Sequence, residues 1–255
     1  MLWFEFKCLY LESGILNLEY NIMNPPETWD FWDDGAHAPA MNMALDEALL
    51  LQAVTRGRPM LRFYAWDCPA VTIGYVQSFT AAPPEGYVII RRTTGGGVVF
   101  HDHDLTHTVV IPAGHWLTSV PPLQSYAFIN EALREGLTGC QVAAEITHEE
   151  IPKNVDRLRM VCFTTPTRYD VMVGGRKVAG AAQRRTRDGI LHQGSIHFGK
   201  ALPLPRAEII GRILDAFTAR DGITFTPFTP APELLALAAD LTSTRYGTDE
   251  WNRMR

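Results

Sequence analysis

The sequence predicts an α+β fold built on antiparallel or mixed sheets. Helices are expected over residues 41–57, 122–136, 206–219 and 232–241. Between them, stretches of β character follow one another in hairpins instead of alternating one for one with helices. Antiparallel strands can be joined by short turns, whereas a doubly wound parallel sheet needs a crossover helix between strands. The order of the elements therefore favours the α+β class.

The first helix is marked by both its pattern and its end. Apolar side chains at helical spacing occupy residues 41–49, and Asp46 and Glu47 are expected on the opposite, polar side. Gly57 closes the helical region, because glycine readily adopts the left-handed backbone conformation that ends many helices.

The β segments are bounded by glycine, proline and aspartate. Strands are predicted over residues 61–65, 71–75, 87–92, 98–100 and 106–111. Residues 168–198 are predicted to form a meander, because Gly174-Gly175 and Asp188-Gly189 are favoured two-residue hairpin turns.

Composition excludes several classes of protein. The 255 residues are 46% hydrophobic and 20% charged, which is typical of a globular chain. Lys+Arg 23 against Asp+Glu 28 gives a net charge of −5, which argues against a general nucleic-acid binder. The four cysteines are widely spaced and predict no disulfide framework, so we expect a cytoplasmic protein. No apolar stretch of about 20 residues predicts a membrane span.

The first residues differ from the rest of the chain. Acidic residues interrupt the apolar run over residues 1–22, and neither a basic start nor a small-residue cleavage site is present. We therefore expect a peripheral N-terminal extension over residues 1–26, with Met23 as a possible natural start. A single domain is expected over residues 27–255.

Four familiar catalytic signatures are absent from the sequence. They are the phosphate-binding loop, the dinucleotide-binding glycine fingerprint, the H-E-x-x-H metalloprotease helix and the G-x-S-x-G nucleophile elbow. Phosphate-loop nucleotide hydrolysis, Rossmann redox chemistry and standard protease or hydrolase chemistry therefore lose their main support.

The segment over residues 91–102 is the most informative. Arg91 and Arg92 precede Gly95, Gly96 and Gly97, which stand between two predicted strands. Three glycines allow the backbone to approach a ligand closely, and their amides can face an anion or a carbonyl. The alternative is a glycine-rich hairpin turn.

Three histidines follow this segment, at positions 101, 103 and 107. An extended chain would place His101 and His103 on one face, with Asp102 on the other. No second cluster of ligands lies at a compact spacing, so no metal site is predicted. Pocket lining or an exposed strand is the expected role.

Two further residues have side chains suited to acyl chemistry. Lys177 is one of four lysines and lies among small residues of a β segment, where it could face a cavity or be solvated. Cys162 could be a nucleophile if a nearby cation lowered the pKa of its thiol, or simply a buried apolar residue.

Positive charge is concentrated between residues 168 and 187. In a net acidic protein this suggests a docking face for an acidic partner, although arginines on an exposed sheet face would look the same. The cations are Arg168, Arg176, Lys177, Arg184, Arg185 and Arg187.

Several motifs, in order, resemble the lipoate-ligase and octanoyltransferase branch of the biotin/lipoate protein ligase superfamily. They are residues 42–47 (NMALDE), 91–102 (RRTTGGGVVFHD), 169–183 (YDVMVGGRKVAGAAQ), 192–195 (HQGS) and 246–252. The resemblance covers about residues 27–252. It implies a fold like that of class II aminoacyl-tRNA synthetases and biotin synthetases, with a central mixed, mainly antiparallel sheet flanked by helices.

The resemblance also implies the site residues. It makes Cys162 and Lys177 catalytic and assigns substrate contacts to a larger set, with no metal ligands. That set is Arg91, Gly95, Gly96, Gly97, His101, Asp102, Asp170, Gly180, Ala181 and Gln183.

Two branches of the family remain open. Residues 104–106 (DLT) and the segment from Cys162 to Tyr169 are similar to cysteine-dependent octanoyltransferases, and no C-terminal accessory domain is expected. Gly97 and His107 replace an arginine and a tyrosine common in those enzymes, and triple glycine is the form found in ATP-dependent ligases. The transferase reading is favoured, and a non-catalytic or split-ligase subunit is a third possibility.

Each branch implies its own cofactors. The transferase needs none, whereas the ligase needs ATP and Mg²⁺. The implied partners are octanoyl-acyl carrier protein and the lipoyl domains of 2-oxoacid dehydrogenases or the glycine cleavage H protein, with no nucleic acid and no membrane.

Overall fold

The computed structural model describes residues 26–82, 85–150 and 162–255, without the side chain of Cys162. The predicted extension over residues 1–26 lies outside this part of the chain except for Pro26. The strands are β1 (Thr28–His37), β2 (Met60–Trp66), β3 (Ala70–Ile73), β4 (Val88–Arg91), β5 (Val99–His101), β6 (Leu105–Pro112), β7 (Ala144–Ile146), β8 (Val171–Val173), β9 (Arg176–Thr186), β10 (Gly189–Ile196) and β11 (Thr224–Pro227). The α-helices are α1 (Pro39–Leu51), α2 (Ala53–Arg56), α3 (Trp116–Ser119), α4 (Pro122–Gly139), α5 (Arg206–Asp221), α6 (Pro232–Leu241) and α7 (Asp249–Asn252).

Eight of these strands form one sheet, in the order β11-β1-β2-β6-β10-β9-β8-β7. Strand β1 is parallel to both β2 and β11, and the other pairs are antiparallel. The predicted mixed, mainly antiparallel sheet is therefore confirmed. The meander is also confirmed as β8, β9 and β10, and Gly174 and Gly175 both have the positive φ values that their turn requires.

Each face of this sheet is covered by helices. Alternate residues of β6 show the division, because Val109 belongs to the same apolar cluster as Ile213 of α5, whereas Val110 belongs to the same cluster as Leu45 of α1. Helix α4 lies with α5, and α6 lies with α1. Below, these are called the α5 face and the α1 face of the large sheet.

The other three strands form a small separate sheet, in the order β4-β3-β5. Strand β3 is parallel to β4 and antiparallel to β5. The small sheet has its own apolar cluster, which includes Val71, Ile73 and Val98. The sequence predicted these strands but not their separation into a second sheet.

Three other expectations need correction. Strand β1 was not predicted, because its sequence TWDFWDDGAH lacks a regular alternation. Helix α1 ends at Leu51, and only the short α2 reaches Gly57, which has a φ of 72°. Asp46 and Glu47 were expected on a polar side, yet both are buried, because arginine and tyrosine partners are buried with them.

No helix within the described residues combines the length and the apolar character needed to cross a membrane.

Candidate active site

A cavity lies between the α1 face of the large sheet and the small sheet. Its lining combines small residues of β9 and β10 with larger side chains from α1, β2 and the small sheet. The lining residues are Met43, Tyr64, Trp66, Thr72, Arg92, Val99, His101, Thr106, Phe163, Lys177, Gly180, Ala181, Ala182, Gln193, Gly194 and Ser195.

Lys177 is buried in the cavity wall and paired with Asp170. The ammonium nitrogen lies 2.7 Å from Asp170 Oδ2, and each side chain is only 3% exposed. Asp170 Oδ2 also accepts hydrogen bonds from the backbone N–H and the hydroxyl of Thr167. Burial raises the pKa of Asp170, and the Lys177 charge and the Thr167 hydrogen bonds oppose that increase. The Lys177 ammonium is therefore held at the wall of the cavity by Asp170, which Thr167 holds in place.

Gly180 provides the space that the Lys177 side chain occupies. A Cβ atom built on Gly180 would lie 2.3 Å from Lys177 Cε and 2.8 Å from Asp170 Oδ1. No real Cβ makes contacts this short, so any larger residue would displace the ion pair. The glycine therefore determines the position of the cation.

Small residues continue along the cavity floor. Gly180, Ala181 and Ala182 of β9 pair with Ser195, Gly194 and Gln193 of β10, respectively. Gly180 and Ala182, which alternate with Ala181 along β9, leave room above the α1 face of the sheet for an elongated ligand. Gly180 and Ala181, both predicted substrate contacts, therefore line the cavity beside Lys177.

Arg92 forms hydrogen bonds with the backbone of the glycine loop. Its guanidinium donates hydrogen bonds to the carbonyl oxygens of Gly95 and Gly97 and to both oxygens of Thr72. Arg92 and Thr72 line the cavity, whereas Gly95, Gly96 and Gly97 lie one layer behind them. The glycine loop therefore affects the cavity wall indirectly, because its carbonyl oxygens hold the Arg92 side chain in place.

The glycine loop also packs closely against the end of β3. Gly96 has a φ of 86°, a conformation that favours glycine. A Cβ atom on Gly74 would lie 2.1 Å from the carbonyl oxygen of Gly96. Glycine is therefore required on both sides of this backbone contact.

His101 forms a flat side wall and is fixed from both edges of its ring. It stacks on Trp66 with ring centroids 4.2 Å apart. Its Nδ1 lies 2.8 Å from Asp104 Oδ2, and its Nε2 lies 3.0 Å from Thr72 Oγ1. Thr72 Oγ1 also accepts a hydrogen bond from Arg92, so Arg92 and His101 meet at this hydroxyl.

Asp104 was expected only as part of a family motif, and the structure makes it a hydrogen-bonding centre. Its Oδ2 accepts hydrogen bonds from His101, Ser195 and Thr106. Burial acts to raise the pKa of Asp104, but the charge of His101 and these hydrogen bonds outweigh it and lower the pKa. The carboxylate thus ties the small sheet to β6 and β10.

A second polar network closes the other end of the cavity, next to Met43 and Tyr64. Gln193 Nε2 donates to Asp46 Oδ2, and Gln193 Oε1 accepts from Thr94 Oγ1. Asp46 also accepts hydrogen bonds from Arg62, Tyr64 and Thr108. Helix α1, strand β10 and the start of the glycine loop are held together by this network.

Arg91, a predicted substrate contact, does not line the cavity. Its guanidinium donates to five backbone carbonyl oxygens, three in residues 74–77 and the other two from Trp251 and Asn252. Those carbonyls would otherwise be buried without partners. In the structure Arg91 joins β4, the loop after β3 and helix α7.

Asp102 and Gln183 also lie away from the cavity lining. Asp102 is exposed, 3.8 Å from His197 Nε2. Gln183 bonds to His192 Nδ1 and Ser125 Oγ on the α5 face. The side chain of Cys162 lies outside the described part, but its backbone begins the short turn Cys162–Thr164, and Phe163 in that turn lines the cavity.

The three sequence histidines are not brought together. His103 is exposed in the turn after β5, and His107 lies on the α5 face, opposite His101. Neither ring nitrogen of His107 has a hydrogen-bond partner in the part of the chain that the structure describes, and burial lowers the pKa of His107 from 6.5 to about 4. Within residues 26–82, 85–150 and 162–255, no group of three His, Cys, Asp or Glu side chains is arranged to hold a metal ion.

Known proteins resemble the chain in sequence over most of its length. A sequence profile of the lipoyl protein ligase A/B catalytic domain matches residues 38–219. An octanoyltransferase LipM from Brevibacillus brevis is 32% identical over 275 residues, covering 90% of this chain and 100% of that protein. An octanoyltransferase LipM from Carboxydothermus hydrogenoformans is 38% identical over 177 residues, covering 67% of this chain and 65% of that protein.

Solved structures resemble the chain in fold. A lipoate-protein ligase A bound with ATP superposes with a TM-score of 0.71 at 22% identity, covering 89% of this chain and 98% of that one. A bi-partite lipoate protein ligase from Thermoplasma acidophilum gives a TM-score of 0.67 at 21% identity, covering 89% and 96%. At this identity the likeness shows the fold alone, and it confirms the predicted fold class.

Proposed function

The chain belongs to the lipoyl protein ligase A/B family, and we propose that it is an octanoyltransferase that moves an octanoyl group from acyl carrier protein to a lipoyl-domain lysine. The observation that carries the proposal is the buried Lys177–Asp170 pair, 2.7 Å apart, in the wall of a cavity floored by small residues. The names of the LipM relatives support the acyl group and the reaction type.

Cys162 and Lys177 perform the first half of the proposed reaction. Phe163 follows Cys162 directly, and its ring lies 5.8 Å from Lys177 Nζ, which supports a place for Cys162 beside the cation. The Cys162 thiolate attacks the octanoyl carbonyl carbon, a new C–S bond forms, and the carrier thiol leaves with its electron pair and takes up a proton. Lys177 stabilises the thiolate and the negative charge that develops on the carbonyl oxygen.

The acceptor lysine performs the second half. Its neutral amine attacks the acyl-Cys162 carbonyl, the amide bond forms, and the C–S bond to Cys162 breaks. The proton lost by the amine balances the thiolate that returns to Cys162. No ATP is needed, because the thioester is already activated.

We infer that the eight-carbon chain would lie along the floor of the cavity. From Lys177 it would run over Gly180 and Ala182 toward Met43 and Tyr64, all of which line the cavity. Burial contributes about 0.8 kcal/mol per methylene. An octanoyl group should therefore bind more tightly than a short acyl group, because it buries several more methylenes.

An ATP-dependent lipoate-protein ligase is the second candidate, and Gly97 favours it because triple glycine is the ligase form. In that reaction Lys177 and the glycine-loop amides would hold the carbonyl and phosphate of an acyl-adenylate. Mg²⁺ and ATP would supply the activation that the carrier thioester provides in the transferase.

Two assays on the purified protein separate the candidates. In one, octanoyl-acyl carrier protein and a lipoyl domain are incubated without ATP. In the other, free octanoate, ATP and Mg²⁺ replace the carrier. The proposal expects an octanoylated lipoyl-domain lysine in the first assay, and product in the second assay alone would overturn it.

A further inference from the structure

An arginine and aromatic cluster lies on the outer side of the glycine loop. The guanidinium carbons of Arg184 and Arg255 lie 5.7 and 5.9 Å from the centre of the Tyr75 ring, and that of Arg253 lies 4.2 Å from the centre of the Phe79 ring. Below, these five residues are called the arginine cluster. Arg253 and Arg255 are exposed, and the other three are half-buried.

Three guanidinium groups lie in this cluster, against the carboxylates of Asp249 and of Arg255, the last residue of the sequence. Neither Arg184 nor Arg255 forms an ion pair with a carboxylate among the described residues, and Arg253 pairs only with the exposed Asp249. An exposed pair of this kind contributes little to stability. Burial and repulsion from Arg255 also lower the pKa of the neighbouring Arg91, so positive charge is concentrated here in a chain of net charge −5.

The arginines between residues 168 and 187, which the sequence suggested as one basic docking face, have different surroundings in the structure. Arg185 donates to the carbonyls of Thr118 and Val120, and Arg187 lies near Asp188 on the hairpin turn. Arg184 instead joins two C-terminal arginines that are distant in sequence. Of the arginines on that predicted face, Arg184 is the one that lies at the glycine loop.

The cluster is close to the cavity but not at the reacting end. Arg184 is two residues beyond Ala182 on the same side of β9, and its guanidinium donates to the carbonyl oxygen of Thr93. Four residues of strand, roughly 13 Å, separate it from Gly180 beside Lys177. The four-carbon stem of an acceptor lysine is too short to span that distance, whereas a thioester on a long prosthetic arm can span it.

We propose that the arginine cluster is the docking surface for the acidic face of the carrier protein that donates the acyl thioester. This inference rests on the proposed transferase function and adds where the donor binds. Arginines stacked on aromatic rings lose little freedom on binding and match carboxylates well. The acceptor domain is expected to dock nearer to Lys177 and Phe163.

Kinetics with two donors test this assignment. The variants are Arg184→Glu, Arg255→Glu and the double substitution, and the control is Arg212→Glu. Arg212 forms a similar i,i+4 pair with Glu208, but on α5, across the large sheet from the cavity. The donors are octanoyl-acyl carrier protein and octanoyl-pantetheine, which retains the arm without the protein.

The double variant is expected to raise KM for octanoyl-acyl carrier protein at least about tenfold and to weaken its salt dependence. KM for octanoyl-pantetheine and for the lipoyl domain should stay within about twofold, and Arg212→Glu should change neither donor. Equal carrier KM in the variant and the control would overturn the assignment, as would a larger rise in KM for the lipoyl domain. Loss of activity with octanoyl-pantetheine would show that the cluster supports the cavity instead of docking the carrier. If the unmodified protein transfers from neither donor, the proposed function fails and the docking assignment fails with it.

Discussion

The two faces of the large sheet bury polar groups in opposite ways. On the α1 face, Lys177 pairs with Asp170, and His101 with Asp104, at 2.7 and 2.8 Å. On the α5 face, His107 and His192 lie with ring centroids 6.0 Å apart, and neither forms an ion pair with a carboxylate of the described residues. Burial lowers the pKa of both histidines, so they stay neutral.

This difference predicts that the α1 face serves the reaction and that the α5 face serves the stability of the fold. A buried charge persists where the fold supplies a partner, and an unpartnered titratable group becomes neutral. The α1 face, where Lys177 and Asp170 are paired, also holds the cavity, and the α5 face, where the two histidines lie, holds the larger apolar core. Substitutions on the α1 face should therefore change rate constants, and substitutions on the α5 face should change stability.

Removal of the Lys177 ammonium should have the largest effect. We expect Lys177→Met to lower kcat/KM about 10²–10³-fold, because a donor to the developing oxyanion is lost. Lys177→Arg should recover little, because the larger planar guanidinium does not fit against Gly180. Steady-state kinetics normalised to the folded fraction by circular dichroism measure both. Near-normal kcat/KM in Lys177→Met would remove this side chain from the chemistry.

Two glycine-to-alanine changes on neighbouring strands compare the faces directly. Gly180→Ala places a Cβ 2.3 Å from Lys177 Cε, whereas Gly194→Ala places one 2.4 Å from His107 Nε2. We expect Gly180→Ala to lower kcat at least about tenfold by moving Lys177. Gly194→Ala should mainly destabilise the fold, by about 1–3 kcal/mol, through overpacking. Urea unfolding and kcat on both variants test this, and the opposite pattern would contradict the division of roles.

Acid should weaken the α5 face with little change in catalytic geometry. The pKa of His107 is 6.5 in the unfolded chain and about 4 in the folded protein, so the unfolded state binds more protons between these values. The free energy of unfolding should therefore fall by about 2 kcal/mol between pH 7 and pH 5 from this residue. Urea unfolding at both pH values should show a smaller drop for His107→Leu. An unchanged drop would mean that His107 titrates normally in the fold.

The sequence predicted more of the fold than of the site. Hairpin turns and helical stretches are local signals, so the meander around Gly174 and helix α6 could be predicted directly. The second sheet could not, because strand pairing between residues far apart leaves no local pattern. Asp46 looked solvent-facing for the same reason, since its partner Arg62 lies on a strand that the spacing of α1 does not reveal.

Motif resemblance pointed to segments that contribute residues to the cavity lining, but it did not distinguish the position of each residue within them. Of the adjacent arginines, Arg92 lines the cavity while Arg91 binds backbone carbonyls around α7, and nothing in the pair RR distinguishes them. Asp104 gained its importance from three donors on other strands.

The proposed mechanism passes the octanoyl group through the Cys162 sulfur. Incubation with octanoyl-acyl carrier protein, without ATP or acceptor, should leave an octanoyl group on the peptide that contains Cys162, detected by mass spectrometry. Addition of a lipoyl domain should remove that adduct, hydroxylamine should cleave it, and Cys162→Ala should not form it. Full ATP-dependent ligation of free octanoate by Cys162→Ala, with no adduct on the unmodified protein, would contradict the claim.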